Sequence, residues 1–322
     1  MKKIISIALC IILALTVLSA CGNNTNVDND KLNIVTTIFP EYDWVREIIM
    51  GIDDINLTML LDTGVDLHSF QPTADDIIKI STCDMFIYVG GESDAWVDDA
   101  LKNATNKDMV VIDLLDVLKD TVKQEEIVEG MQGEEEEEES EEGPEYDEHV
   151  WLSLKNAKTI CEYISSKLCE IDTFNAEGYK ANTKIYTEKL DKLDKDFAST
   201  IQNAKTKTIL FGDRFPFRYL VDDYGLDYYA AFVGCSAESE ASFETISFLA
   251  KKVDELGLKA VFTLDGSDQK IANTIISNTK TKNQKILALN SMQSTTKEDV
   301  ESGVTYLSIM ENNLTNLKEA LN

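Results

Sequence analysis

Histidine and proline are scarce in this sequence: two and four, respectively, in 322 residues. Basic side chains are also few, with 30 Lys and Arg against 58 Asp and Glu. The net charge of −28 excludes nucleic acid as a partner, because phosphate binding is driven by basic groups that release counterions. A surface this acidic attracts cations instead. With only His68 and His149 present, a His-rich centre is excluded, and any imidazole chemistry must use this pair. There is no G-x-S-x-G, no Walker loop and no HExxH, which removes the commonest hydrolase and nucleotide-binding signatures. None of the cysteines forms a C-x-x-C pair of the kind zinc ribbons use. Beyond the first twenty residues, no run is apolar enough to span a bilayer.

At 43% hydrophobic the chain can bury a real core, and its length suits two domains of about 100–200 residues each. Residues 1–20 read as a signal peptide: Met1-Lys2-Lys3, then an apolar run over 4–18, then Leu18-Ser19-Ala20-Cys21. This resembles a bacterial lipobox, which implies lipidation of Cys21 and an extracytoplasmic protein anchored to the cell membrane. Residues 21–30 are polar and read as a flexible stalk. Cys83, Cys161, Cys169 and Cys235 remain. The spacing of Cys161 and Cys169 suits buried small side chains in a helix, and the sequence does not say which pairs, if any, form disulfides.

From residue 31 strand and helix patterns alternate, as a parallel sheet with crossover helices requires. Strands are expected at 31–39, 55–61, 83–89 and 109–114, and helices at 42–50, 73–81 and 96–104. A helix over 154–169 and a long amphipathic one over 175–204 follow, the latter with Tyr179, Ile185, Leu190, Leu193 and Phe197 as its apolar stripe. A second α/β run then begins at 208. The expected fold is α/β, with two parallel-sheet lobes: 31–170, a linking helix over 171–204, and 205–322. Residues 124–148 interrupt this order. The stretch 124–149 holds fourteen acidic residues and no Lys or Arg, and reads as a solvated loop. It either concentrates cations weakly or serves as a spacer.

The chemistry gathers around the histidines. Leu67-His68-Ser69-Phe70-Gln71-Pro72-Thr73 lies after a strand and before a helix, where open α/β sheets bind ligands. Asp147-Glu148-His149-Val150-Trp151-Leu152 follows the acidic loop. Both resemble ligand motifs of the zinc and manganese lipoproteins of bacterial ABC importers, the cluster A-I solute-binding proteins. IVTTIFPEYDWV at 34–45, Phe217-Arg218-Tyr219-Leu220, Glu240-Ala241-Ser242 and the helix over 306–321 extend the resemblance over essentially the whole chain after the signal.

That resemblance implies a periplasmic-binding-protein-like fold with a rigid helical backbone. It implies capture of Zn²⁺, or alternatively Mn²⁺, by a monomer that feeds a membrane permease and its ATPase. It also implies a further ligand from the second lobe. The chain departs from the family there, with Arg214 at the expected ligand position and Asn290 where manganese members carry a carboxylate. Arg214 is no ligand. Asp213 is the expected substitute, with Glu240 and Asp265 as further candidates and Arg214 orienting Glu240. Cys235 reads as a buried small residue. A zinc hydrolase would use the same donors with an open coordination position, and an adhesin is a third reading. The sequence favours the receptor, with no catalytic residues.

Overall fold

A computed structural model describes residues 31–132, 146–236 and 240–322. The expected lipidation site Cys21, the signal and stalk, and the Glu-rich centre of the acidic loop lie outside the described residues. Among the described residues no helix is long and apolar enough to cross a membrane. Residues 32–322 form one compact unit containing two four-stranded sheets.

The first sheet holds β1 (Leu32–Thr36), β2 (Ile55–Met59), β3 (Met85–Tyr88) and β4 (Val110–Asp113). The second holds β5 (Thr208–Phe215), β6 (Asp227–Val233), β7 (Ala260–Leu264) and β8 (Lys285–Leu289). All pairings are parallel, and the orders β2-β1-β3-β4 and β6-β5-β7-β8 are the same topology repeated. The helices follow in chain order. The first lobe carries α1 (Phe39–Ile48), α2 (Ala74–Thr82), α3 (Val97–Lys102) and α4 (Leu114–Leu118). The connection is α5 (Leu154–Ile171) and α6 (Ala176–Gln202). The second lobe carries α7 (Arg218–Tyr224), α8 (Phe243–Leu256), α9 (Lys270–Asn278), α10 (Lys297–Glu301) and α11 (Tyr306–Leu321). Pro40 sits in the first turn of α1, where its missing N–H costs nothing.

The long α6 ties the lobes together. Near its start Asn182 donates to the carbonyls of Ile48 and Met50, and Lys189 pairs with Glu47. Further along, Asp194 accepts from Tyr224 of the second lobe. Its inward stripe is Tyr179, Thr183, Tyr186, Leu190, Leu193, Phe197 and Ile201, at spacings of three or four. The expected Ile185 is instead 56% exposed. Tyr186 takes its place because the stripe already runs through 179, 183 and 190, and 185 falls a third of a turn off that face.

A second bond between lobes comes from α11. Tyr306 donates its backbone N–H to buried Asp43 of α1 and packs edge-on against Trp44. One continuous apolar core therefore includes residues of both sheets and both long helices. Such a core resists wide opening, because separating the lobes would expose apolar surface at roughly 25 cal/mol per Å².

Inside the second lobe, β5 runs through to Phe215, with a register shift between Phe211 and Arg214. Gly212 sits at that irregularity, and a Cβ there would lie 2.6 Å from the Ala272 Cα of α9. The neighbour is backbone and cannot swing away. Gly212→Ala is therefore expected to destabilise the protein by about 1–3 kcal/mol, the usual cost of overpacking. Denaturant unfolding should show a lower midpoint with an unchanged slope, and an unchanged midpoint would refute this close approach.

Candidate metal centre

The two histidines, 81 positions apart in sequence, meet. His68 lies in a short 3-10 turn, Leu67–Ser69, between β2 and α2. His149 opens a similar turn, Val150–Leu152, before α5. Their Nε2 atoms are 3.3 Å apart. Two imidazoles sharing a tetrahedral zinc at ~2.0–2.1 Å per bond would have their nitrogens about 3.3–3.4 Å apart. The separation already fits.

Each ring is held from its other nitrogen. His149 is fully buried, and its Nδ1 is 3.0 Å from Asp147 Oδ1, which also accepts the His149 backbone N–H at 2.8 Å. A carboxylate only accepts, so Nδ1 carries the proton and Nε2 keeps a free lone pair. Asp147 is itself fixed, its carbonyl accepting from Tyr219 and its N–H donating to the Lys123 carbonyl. His68 Nδ1 lies 2.6 Å from Ser93 Oγ and 3.8 Å from Glu148 Oε2. The Ser93 backbone N–H donates to Glu148 Oε1, while Oε2 is buried without a hydrogen bond. Gly91 makes that meeting sterically feasible: its φ is +81°, and a Cβ there would lie 2.4 Å from Glu148 Oε1.

Burial, with the neighbouring imidazole of His149 acting in the same direction, pushes the His68 imidazole down to about 4. Burial also raises Glu148 above the usual carboxylate range. Burial acts against the ionised form of Asp66, but the Arg214 guanidinium 2.9 Å away outweighs it and holds Asp66 low. Asp66 caps the 3-10 turn by accepting the His68 N–H, so Arg214 of the second lobe steadies the loop that carries His68. The Thr63–Thr296 bridge and the Lys297 N–H to Asp62 carbonyl bond tie the same loop to that lobe again.

The expected second-lobe carboxylates lie elsewhere. Asp213 is inside β5, not beyond it. Its Oδ1 accepts the Arg214 N–H and its Oδ2 the Leu264 N–H, so both oxygens are used in the β5 irregularity. Asp265 is exposed and accepts from Asn290, whose own oxygen caps the Met292 N–H. Glu240 is exposed, and its charge acts on Lys270 rather than on Arg214. Arg214 is taken by Asp66. Among the described residues the group that fits a metal is His68, His149 and Cys235, whose donor atoms all lie within 4.8 Å of one another. None of the four described cysteines is in a disulfide.

The site opens into a cleft of about 270 Å³ lined by Glu92, Ser93, Glu125, Tyr146, Glu148 and Cys235 with His68. The flanks of the acidic loop are anchored here. Gln124 pairs with Tyr146, Glu126 with Arg218, and Gln132 with Phe232. The stretch expected as a solvated loop is therefore fastened to the second lobe on its first side.

The family model described as ZnuA, "Zinc-uptake complex component A periplasmic", matches residues 34–320. The chain belongs to this family. It is 33% identical over 320 residues to the zinc-binding lipoprotein AdcA of Streptococcus pneumoniae, covering 99% of this chain and 61% of that protein. The chain thus spans about three fifths of the length of that relative. It is 30% identical to the high-affinity zinc uptake system protein ZnuA of Bacillus subtilis, covering 98% of this chain and 96% of that one. Among solved structures it superposes on the Zn(II)-bound ZnuA-like domain of S. pneumoniae AdcA with a TM-score of 0.70 at 29% identity. That match covers 90% of this chain and 99% of the domain. The two-lobed α/β fold that the resemblance implied is the fold of this zinc-uptake family.

Sequence reasoning pointed to both imidazoles, which the structure brings together, but not to Ser93, Asp147 and Glu148 as their neighbours. Ser93 follows the Gly90-Gly91 pair, and two adjacent glycines at a strand end were a usable signal for close approach. Nothing local marked Cys235.

A titration tests the environment of His68. In the metal-free protein its ring should stay neutral until about pH 4, read from the ring proton shift by NMR. The sign for stability follows: the unfolded chain protonates first, so this group costs stability as pH falls from ~6.5 towards 4. A midpoint near 6.5 in the folded protein would contradict the buried placement.

Proposed function

We propose that this chain is an extracytoplasmic, lipid-anchored receptor. It captures Zn²⁺ between His68 and His149 and hands it to an ABC-type permease driven by a cytoplasmic ATPase. The observation that carries this reading is the pair of Nε2 atoms 3.3 Å apart, each ring braced through Nδ1. Neutral imidazole suits zinc and its first-row neighbours. Bracing of this kind is the usual outer support of metal-bound histidine. Membership of the zinc-uptake family and the zinc-binding names of its relatives support the same cargo.

Capture and hand-over require an ion that is enclosed yet reachable. His149 is fully buried, while the His68 side chain is 13% exposed towards the acidic cleft. Glu92, Glu125 and Glu148 around that cleft favour an approaching cation. Because the apolar core is shared by both lobes, release proceeds through shifts of the His68 and Cys235 loops rather than wide separation of the lobes. The receptor reading also expects one equivalent of metal held without turnover. Hydrolysis of model esters or peptides by the zinc-loaded protein would favour an enzyme instead.

His68→Ala and His149→Ala are each expected to weaken zinc binding by orders of magnitude while far-ultraviolet circular dichroism stays native. Isothermal titration with Zn²⁺ decides the matter. Wild-type affinity in either variant would remove that histidine from the site.

A further inference from the structure

We propose that Cys235 supplies, from the second lobe, a thiolate that completes a two-histidine, one-cysteine site and tilts it towards zinc and other soft ions over manganese. The proposal rests on the reading of His68 and His149 as the zinc-holding pair. It adds the donor that this pair lacks.

Two imidazoles leave a tetrahedral ion half coordinated, and the carboxylates that the second lobe could offer are engaged elsewhere. Asp213 caps two backbone N–H groups, Asp265 holds Asn290, and Glu240 is exposed near Lys270. Cys235 also has a partner, Glu125, but that pairing lies within the cleft of the histidines itself. Cys235 follows the carboxyl end of β6, the edge strand of the second sheet, and lies in the same cleft as His68. Gly234 beside it packs on the His149 ring so closely that a Cβ there would lie 2.9 Å from Cε1. The chain is thereby laid against the imidazole pair with the next side chain at its edge.

Cys235 Sγ and one ring nitrogen of each histidine lie within 4.8 Å of one another. A tetrahedral zinc with Zn–N of ~2.0–2.1 Å and Zn–S of ~2.3 Å needs about 3.6 Å between sulfur and nitrogen. A shift of about 1 Å of Cys235 is enough to close that difference. The other described cysteines have different surroundings. Cys83 and Cys161 are buried in the core, and Cys169 points to the carbonyl of Ala176.

The chemistry then sets preference. Manganese favours hard oxygen donors, whereas thiolate and imidazole favour zinc and softer ions. Binding forms one Zn–S bond and breaks the S–H bond, with the proton leaving to solvent. The charge fits as well: a dication and one thiolate leave a single positive charge, met by the nearby carboxylates of Asp147 and Glu148.

Cobalt(II) is the probe, added to the full chain kept reduced. Wild type should show an intense near-ultraviolet sulfur-to-cobalt charge-transfer band together with tetrahedral d–d absorption. Cys235→Ser and Cys235→Ala should keep cobalt but lose the charge-transfer band. Zinc affinity of Cys235→Ala should fall by more than the ~10–100-fold typical of losing an outer support. The zinc-over-manganese ratio should shrink with it. Cobalt bound by wild type with no charge-transfer band would overturn the thiolate while leaving the histidine pair standing. Wild type binding no cobalt would instead sink the histidine reading itself. Equal losses for zinc and manganese would remove the role in selectivity. Should the alanine variant fail to fold, the wild-type spectrum decides alone.

Discussion

The organising constraint of this protein is the approach of two imidazole nitrogens that nothing local in the chain would bring together. The two rings come from distant loops, so the surroundings must hold them at 3.3 Å. Asp147 locks one ring and Ser93 with Glu148 the other, and each brace is anchored to a different lobe. Asp147 is gripped by Tyr219 of the second lobe, whereas Ser93 and its Gly90-Gly91 approach belong to the first. The loop of His68 is tied across by Arg214, and the segment after His149 by the Trp151 indole donating to the Ser291 carbonyl. The site therefore lies at a seam and is also part of what fastens it.

That fastening has an electrostatic consequence. Several carboxylates around the seam are buried, and burial is the main cause that pushes Asp94 up to about 7 and Asp43 up to about 6, with nearby carboxylates adding to it. Asp94 accepts the backbone N–H groups of Val89 and Gly90, which set the turn that presents Ser93. A raised carboxyl is bound to its proton longer in the folded chain than in the unfolded one. Its contribution is therefore most favourable at low pH and is lost as pH rises through the folded value. The acids around the seam thus cost stability near neutrality, and a bound dication offsets part of that cost. Binding that stabilises only the folded chain follows from this arrangement.

Much of the architecture was legible in the sequence because it rests on local patterns. Alternating apolar runs and amphipathic stretches place the elements to within a few residues, and the motifs around His68 and His149 stand at element ends. Where expectation and structure differ, the cause is that local pattern does not report long-range pairing. Asp213 was expected as a metal ligand, but pairing of β5 with β6 carries the strand through it, and both its oxygens accept backbone N–H groups. Arg214 looked like a partner for Glu240, yet its partner is Asp66, 148 positions away. Cys235 carries no local mark at all. Its place beside His149 comes from Gly234, whose closeness to that ring only the tertiary fold reveals.

The central claim is that the imidazole pair is set before the ion arrives. Crystal structures of the metal-free and zinc-loaded protein test it directly. The Nε2–Nε2 separation should be close to 3.3 Å in both, with zinc at ~2.0–2.1 Å from each nitrogen in the loaded form. A metal-free structure with the two rings swung apart, beyond any shared coordination distance, would contradict the account and make the site one that the metal itself assembles.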